Sequence, residues 1–328
     1  MRIFFGFLIL MMLGLGAMAQ TSKLQLASDV WPPFTDMEGK RAVALSLVQE
    51  ALQRGGFTVE VEILAFGDVM KGIEAGEVDG SAALWRSPER EDYLLFSEPY
   101  LENRLILVGR EGSDVSPTDF SALRGKRIGL VEDYAYGKNV NSAGEVEFIE
   151  GSSDQANLEA LLRGELDYIL VDGLLINYLL EYQADEAGQY LELGTTPLAR
   201  RTLHFAVRKD RQGAEYIIQR FNAQVKSMIA DGSFNRILQL NWIRSDVDGD
   251  GQEELVLGGK EAGVNPPIYN YDLLLGDSAM ASQAPPLRYY IDGKVYESWE
   301  DVPARYKVPD VTEEDLNRPG LRLFEFRF

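Results

Sequence analysis

The chain has 328 residues, 45% of them apolar, and a formal net charge of −20 from 52 acidic residues against 32 lysines and arginines. That length is enough to bury two ordinary α/β cores, and an acidic excess without a basic run excludes the stripe by which nucleic-acid binders hold phosphates. No cysteine is present, so disulfides and thiol nucleophiles are excluded too.

In chain order, Met1-Arg2 is followed by an apolar run from Ile3 to Gly16 and by Ala17-Met18-Ala19. The run is short and broken by glycine, and it ends on an A-x-A cleavage pattern. It therefore reads as a secretory signal over 1–19, the alternative being a membrane anchor. The mature chain is expected in the periplasm. Leu24 to Ala27 begins a strand, and Trp31-Pro32-Pro33-Phe34 is a turn. Leu45, Val48, Ala51 and Leu52 then recur at helical spacing before Gly55-Gly56. Val59, Val61 and Ile63 alternate with charged residues as in a half-buried strand, and a helix from about Asp68 to Ala75 stops at Gly76. Strand and helix alternating in this way predict βαβ units and a largely parallel sheet.

The unit occurs twice. Val69 to Leu84 and Ala156 to Val171 both run from helix through Gly-Glu-aliphatic-Asp into an apolar strand, as Gly76-Glu77-Val78-Asp79 and Gly164-Glu165-Leu166-Asp167. Each copy follows its own strand and helix, so two similar lobes are expected, although a common helix-to-strand turn explains the short match alone. Two extended stretches, Arg104 to Arg110 and Thr202 to Arg208, lie between the lobes. Two crossings make a hinge and a cleft. The expected organisation is lobe 1 over 20–106, lobe 2 over 107–203, a return to lobe 1 over 204–244, and an extension over 245–328.

Several motifs now fall in order: Asp29-Val30-Trp31-Pro32-Pro33-Phe34, Ser87-Pro88-Glu89-Arg90, Phe96-Ser97-Glu98-Pro99-Tyr100, Gly125-Lys126-Arg127-Ile128-Gly129, and Asp167 to Asp172. From about Leu24 to Ile243 the chain resembles the family 3 bacterial extracellular solute-binding proteins. The resemblance implies an α/β, two-lobed periplasmic-binding-protein-like fold of the second type. It also implies capture of a small zwitterionic or anionic, amino-acid-like solute for an ABC permease or a membrane sensor, by a chain expected to be monomeric. It assigns Arg90 to the ligand carboxylate, which a planar guanidinium matches; the alternative is a surface arginine paired with Glu89 or Glu91. It assigns Asp172 to the ligand ammonium, with a helix N-cap before Leu174 as the alternative. Trp31 becomes an aromatic wall of the cleft, or plain core, and Asp29 lines the same mouth.

The departures point to a different solute. Ala82, Ala83, Leu84 and Trp85 stand where the family usually carries hydroxyl residues, and Val131 to Gly137 replaces a Gly-Thr-Thr type loop with Glu132, Asp133, Tyr134 and Tyr136. Trp85 and Tyr134 therefore join the expected ligand residues, and a larger, aromatic or cationic solute suits this set better.

Past Ile243, Asp246-Val247-Asp248-Gly249-Asp250-Gly251-Gln252-Glu253-Glu254 alternates carboxylates around a glycine turn. Asp246, Asp248, Asp250, Gln252 and Glu254 are expected to bind a structural Ca²⁺, although Leu257 takes the place of the twelfth-position Glu. The alternative is an acidic hairpin without metal. The tail is expected to form a small β-rich appendage, with a turn at Asp292-Gly293 and a strand over Leu321 to Phe326. No catalytic residue is assigned, and His204, the only histidine, reads as structural. The same resemblance extends to cyclohexadienyl dehydratases, which leaves an enzyme as an alternative, and a calcium-dependent scaffold is another.

Overall fold

The protein is described here by a computed structural model covering residues 22–40, 42–141, 144–176, 185–238, 242–258, 274–275 and 288–307. The expected signal over 1–19 and the expected strand from Leu321 to Phe326 lie outside these residues.

The first lobe is built on β1 (Ser22–Ser28), β2 (Phe57–Ile63), β3 (Gly80–Trp85) and β4 (Leu94–Phe96). The second holds β6 (Arg127–Val131), β7 (Glu147–Gly151), β8 (Tyr168–Asp172) and β9 (Leu191–Leu193). β5 (Leu101–Arg110) and β10 (Ala199–Arg208) join them into one continuous sheet, in the order β2-β1-β3-β10-β5-β8-β6-β7. Within each lobe the pairing is parallel, β1 to β2 and β3, and β6 to β7 and β8. The centre is antiparallel: Ala199 faces Leu105 and Leu203 faces Leu101. Both crossing strands are ten residues long. That exceeds the stretches read from the sequence, because a strand that pairs in two lobes must extend past the seam between them. β10 thus pairs with β3 and β4 at one end, while β5 pairs with β8 and β9 at the other.

The sequence repeat has a geometric counterpart. Gly76 and Gly164 both take φ of +79°, the left-handed conformation that ends a helix and that glycine adopts without a Cβ penalty. The next amide reaches back in each copy, Glu77 N to Gly72 O and Glu165 N to Ala160 O. Each aspartate then accepts from the first strand of its own lobe, Asp79 from Gln25 N and Asp167 from Arg127 N, both at 2.9 Å.

Helix α1 (Val43–Arg54) buries Leu47, Val48, Ala51 and Leu52, four residues of one helical face. The long helix Ala214–Ala230 packs against it, burying Phe221 and Met228. The chain that leaves the hinge through β10 therefore returns to lobe 1.

A separate sheet in the order β13-β11-β12-β14-β15 carries the appendage. Its strands are β11 (Trp242–Ser245), β12 (Glu254–Leu257), β13 (Leu274–Leu275), β14 (Arg288–Ile291) and β15 (Lys294–Tyr296). It starts at Trp242, inside the span read as lobe 1, because β11 and β12 form one hairpin around the acidic loop. Asp292 and Gly293, at φ +50° and +80°, turn β14 into β15, the positive-φ pair that a two-residue hairpin needs. Trp242, Leu255, Tyr289, Ile291 and Tyr306 form its own small core.

Candidate ligand cleft between the lobes

Local chemistry presents Arg90. Ser87 caps the short helix α3 (Pro88–Glu91) by accepting from Arg90 N, and Pro88 occupies the first turn, where its missing N–H costs nothing. Arg90 is 7% exposed, and its guanidinium has two partners. It donates to Trp85 O at 2.7 Å in its own lobe and to Asp133 O at 2.9 Å in the other. It also lies over the Phe66 ring. Burial lowers its pKa, but a guanidinium stays charged throughout the useful pH range. The surface ion pair considered for Arg90 belongs instead to its neighbour, for Arg86 pairs with Glu91.

Opposite Arg90, the loop after β6 enters the cleft. Asp133 at φ +64° and Gly137 at φ +92° turn the backbone, and the Tyr136 hydroxyl accepts from Val131 N at 2.9 Å. The loop thereby aims Tyr134 across the seam. Its ring lies 4.8 Å from Phe66, 5.4 Å from Trp85 and 5.8 Å from Trp31, all edge-on, a favoured aromatic geometry. Its hydroxyl donates to Asp29 Oδ2 at 2.9 Å. Asp29, Trp31, Trp85, Arg90 and Tyr134, with Phe66 and Ala135, line a narrow, partly open space with room for about one water molecule.

Asp172 lies elsewhere. It is 2% exposed and is not among the residues that line this space. Its Oδ1 accepts from Leu174 N at 2.8 Å and Leu175 N at 3.3 Å, while Oδ2 accepts from Arg104 N at 2.9 Å and Asn103 Nδ2 at 3.2 Å. The geometry is that of the capping alternative, with four N–H groups taking up both oxygens. The connection to the cleft is indirect, since Asn103, on β5, accepts from Trp85 Nε1 at 2.7 Å.

Three carboxyls around the seam hold protons unusually well. Burial lifts Asp29 from 3.8 to about 6, against the opposing effect of the Tyr134 hydrogen bond. Asp172 rises to about 6 by burial, which its hydrogen bonds only partly offset. Asp154, at the start of α5 (Asp154–Leu162), rises to about 7 through burial and the charges of Asp29 and Asp172; it keeps part of its surface in solvent, which moderates the rise.

Two cleft residues carried no readable pattern in the sequence. Phe66 opens α2 (Phe66–Ala75) behind no motif. Arg201, on the hinge strand β10, places its guanidinium over Trp85 and donates to Arg86 O at 2.5 Å. His204 shows no catalytic arrangement: Nδ1 donates to Ser97 O and Nε2 meets Thr202 Oγ1, both at 2.8 Å.

In the acidic loop, Asp246, Asp248 and Glu254 bring carboxylate oxygens within 4.8 Å of one another. Asp250 and Gln252, also expected as ligands, have partners of their own. Both Asp250 oxygens accept from Arg288, at 2.8 and 3.1 Å, and Gln252 N donates to Asp250 Oδ1. Arg288 also pairs with Glu254, so a guanidinium from β14 supplies positive charge at this loop.

Among the described residues, no helix is long and apolar enough to cross a membrane. The sequence profile of the bacterial extracellular solute-binding proteins, family 3, matches residues 25–244. The L-cystine-binding protein TcyA of Bacillus subtilis is 22% identical over 222 residues, 66% of this chain and 79% of that protein. The virulence sensor protein BvgS of Bordetella pertussis is 30% identical over 114 residues, which are 33% of this chain and 9% of BvgS. Among solved structures, a variant of ArgBP from T. maritima shares the fold with a TM-score of 0.56 at 19% identity, covering 66% of this chain and 94% of that one.

Proposed function

Because this chain belongs to the bacterial extracellular solute-binding proteins, family 3, we propose that it is an exported periplasmic protein that closes its lobes on a small amino-acid-like solute and presents it to an ABC permease or a membrane sensor. The similarity to TcyA and to BvgS supports transport and sensing respectively. The observation that carries the reading is Arg90, anchored in lobe 1 yet donating to the Asp133 carbonyl of lobe 2. A solute carboxylate takes over that donor when the lobes part and re-close, as a charge-assisted pair stronger than the carbonyl contact it replaces. Asp29, Trp31, Trp85 and Tyr134 complete the binding surface.

A thermal-shift screen of residues 20–328 against amino acids, amines and small carboxylates tests this. A ligand at one hundred times its Kd adds about 2.7 kcal/mol, and that gain is expected to vanish in Arg90→Ala. Silence across the panel overturns the reading.

The loop at Asp246 is proposed to take Ca²⁺ through Asp246, Asp248 and Glu254 only, in competition with Arg288. Calcium prefers six to eight oxygens, so binding is expected to be weak, and titration calorimetry measures it.

A further inference from the structure

Among the residues that line this space, the two charged groups and the aromatic rings already have partners within the chain. Arg90 is held by two carbonyls, one from each lobe. The Asp29 carboxylate is held by the Tyr134 hydroxyl. The rings of Trp31, Phe66 and Trp85 are packed around the Tyr134 ring. The space between them admits about one water molecule, so a larger solute needs these groups to move apart. Tyr134 arrives on a loop turned by Asp133 at φ +64°, a left-handed conformation that aspartate takes more readily than most residues.

We propose that Tyr134 is a tethered ligand: it fills a subsite shaped for an aromatic ring bearing a hydrogen-bond donor, holds the lobes closed without solute, and must be displaced before solute enters. The subsite has the chemistry of a phenol site, with three ring faces or edges for the six-membered ring and one buried acceptor, Asp29, for its hydroxyl. A solute of the matching class carries a phenolic or comparable N–H or O–H donor on a ring. This inference rests on the cleft reading above and adds to it that closure precedes binding.

The absence of native cysteine allows direct measurement of closure. Donor and acceptor dyes on Ala75→Cys in lobe 1 and Glu159→Cys in lobe 2, both exposed positions, report the distance between lobes. Without solute, the otherwise wild-type protein is expected to show a single closed distance, unchanged by p-cresol. Tyr134→Ala is expected to open, and p-cresol to restore the closed distance in a saturable manner. Toluene, which lacks the hydroxyl, should act at least about tenfold more weakly, the effect of one hydrogen bond to a charged acceptor. An open or mixed wild type overturns the proposal, as does a Tyr134→Ala that stays closed or ignores p-cresol. Should Tyr134→Ala not fold, Tyr134→Leu removes the hydroxyl and the ring while keeping apolar bulk, and the same readings apply. These outcomes are independent of the solute screen: a silent screen with a closed wild type sinks the solute reading alone, and a positive screen with an open wild type sinks the tethered ligand alone.

Discussion

Arg90 has one duty the contacts show and one that is proposed: its N–H groups satisfy carbonyls on either side of the cleft, and its charge is proposed to take a solute carboxylate. Arg90→Ala is therefore expected to lose solute binding and also to destabilise the unliganded protein by about 2 kcal/mol, since Trp85 O and Asp133 O are left without their donor. Chemical denaturation without solute measures the second effect separately from the first. Arg90→Lys keeps the charge but not the planar fork, so it should fall between wild type and Arg90→Ala in both measurements. An Arg90→Ala protein as stable as wild type would remove the seam contact from the account.

At the scale of elements, the hinge strand β5 carries the link between lobes. Asn103, fully buried, accepts from Trp85 and donates to Asp172, so one amide connects the cleft wall of lobe 1 to the helix cap of lobe 2. Asn103→Ala is expected to cost about 2–3 kcal/mol, as two buried polar partners lose their match. A red shift of tryptophan fluorescence as Trp85 loosens checks that the wall has moved. The duplicated turn provides a second test. Gly164 has no neighbouring atom where a Cβ would stand, so Gly164→Ala meets only the backbone penalty of φ +79°, expected to be about 1 kcal/mol. Gly76→Ala should cost more, since its Cβ would run into the Arg208 guanidinium, which must move aside.

For the molecule as a whole, the buried carboxyls set the response to pH. An unfolded chain gives up an aspartate proton near 3.8, whereas the folded protein keeps those of Asp29 and Asp172 to about 6 and that of Asp154 to about 7. Between those values the folded state binds more protons, so stability falls as pH rises through this window and levels off above it. Asp172 alone accounts for about 3 kcal/mol of the fall. Aspartates whose pKa is lowered, such as Asp167 beside Arg127, act in the opposite sense below about pH 4. The unliganded protein is thus expected to melt highest at about pH 4, and a higher Tm at pH 7.5 than at pH 5 would contradict the burial of these groups. The net charge of −20 works in the same direction, as mutual repulsion grows when the last carboxyls ionise.

What the amino-acid sequence determined by itself is whatever a few neighbouring residues encode. Gly76 and Gly164 stop two helices in the same way; Asp292-Gly293 turns a hairpin; and the alternation of strand and helix makes two lobes. Each of these rests on backbone preferences and hydrogen bonds spanning three or four positions, so each was legible. The tertiary structure decided the partners. Tyr134 meets Asp29 across 105 positions of chain, Arg288 reaches Asp250 across 38, and Asn103 reaches Asp172 across 69. No local pattern marks such pairs, because they exist only after the strands have fixed their order and register. A carboxylate near the end of a strand reads the same whether or not it caps the next helix, and only packing showed the cap at Asp172.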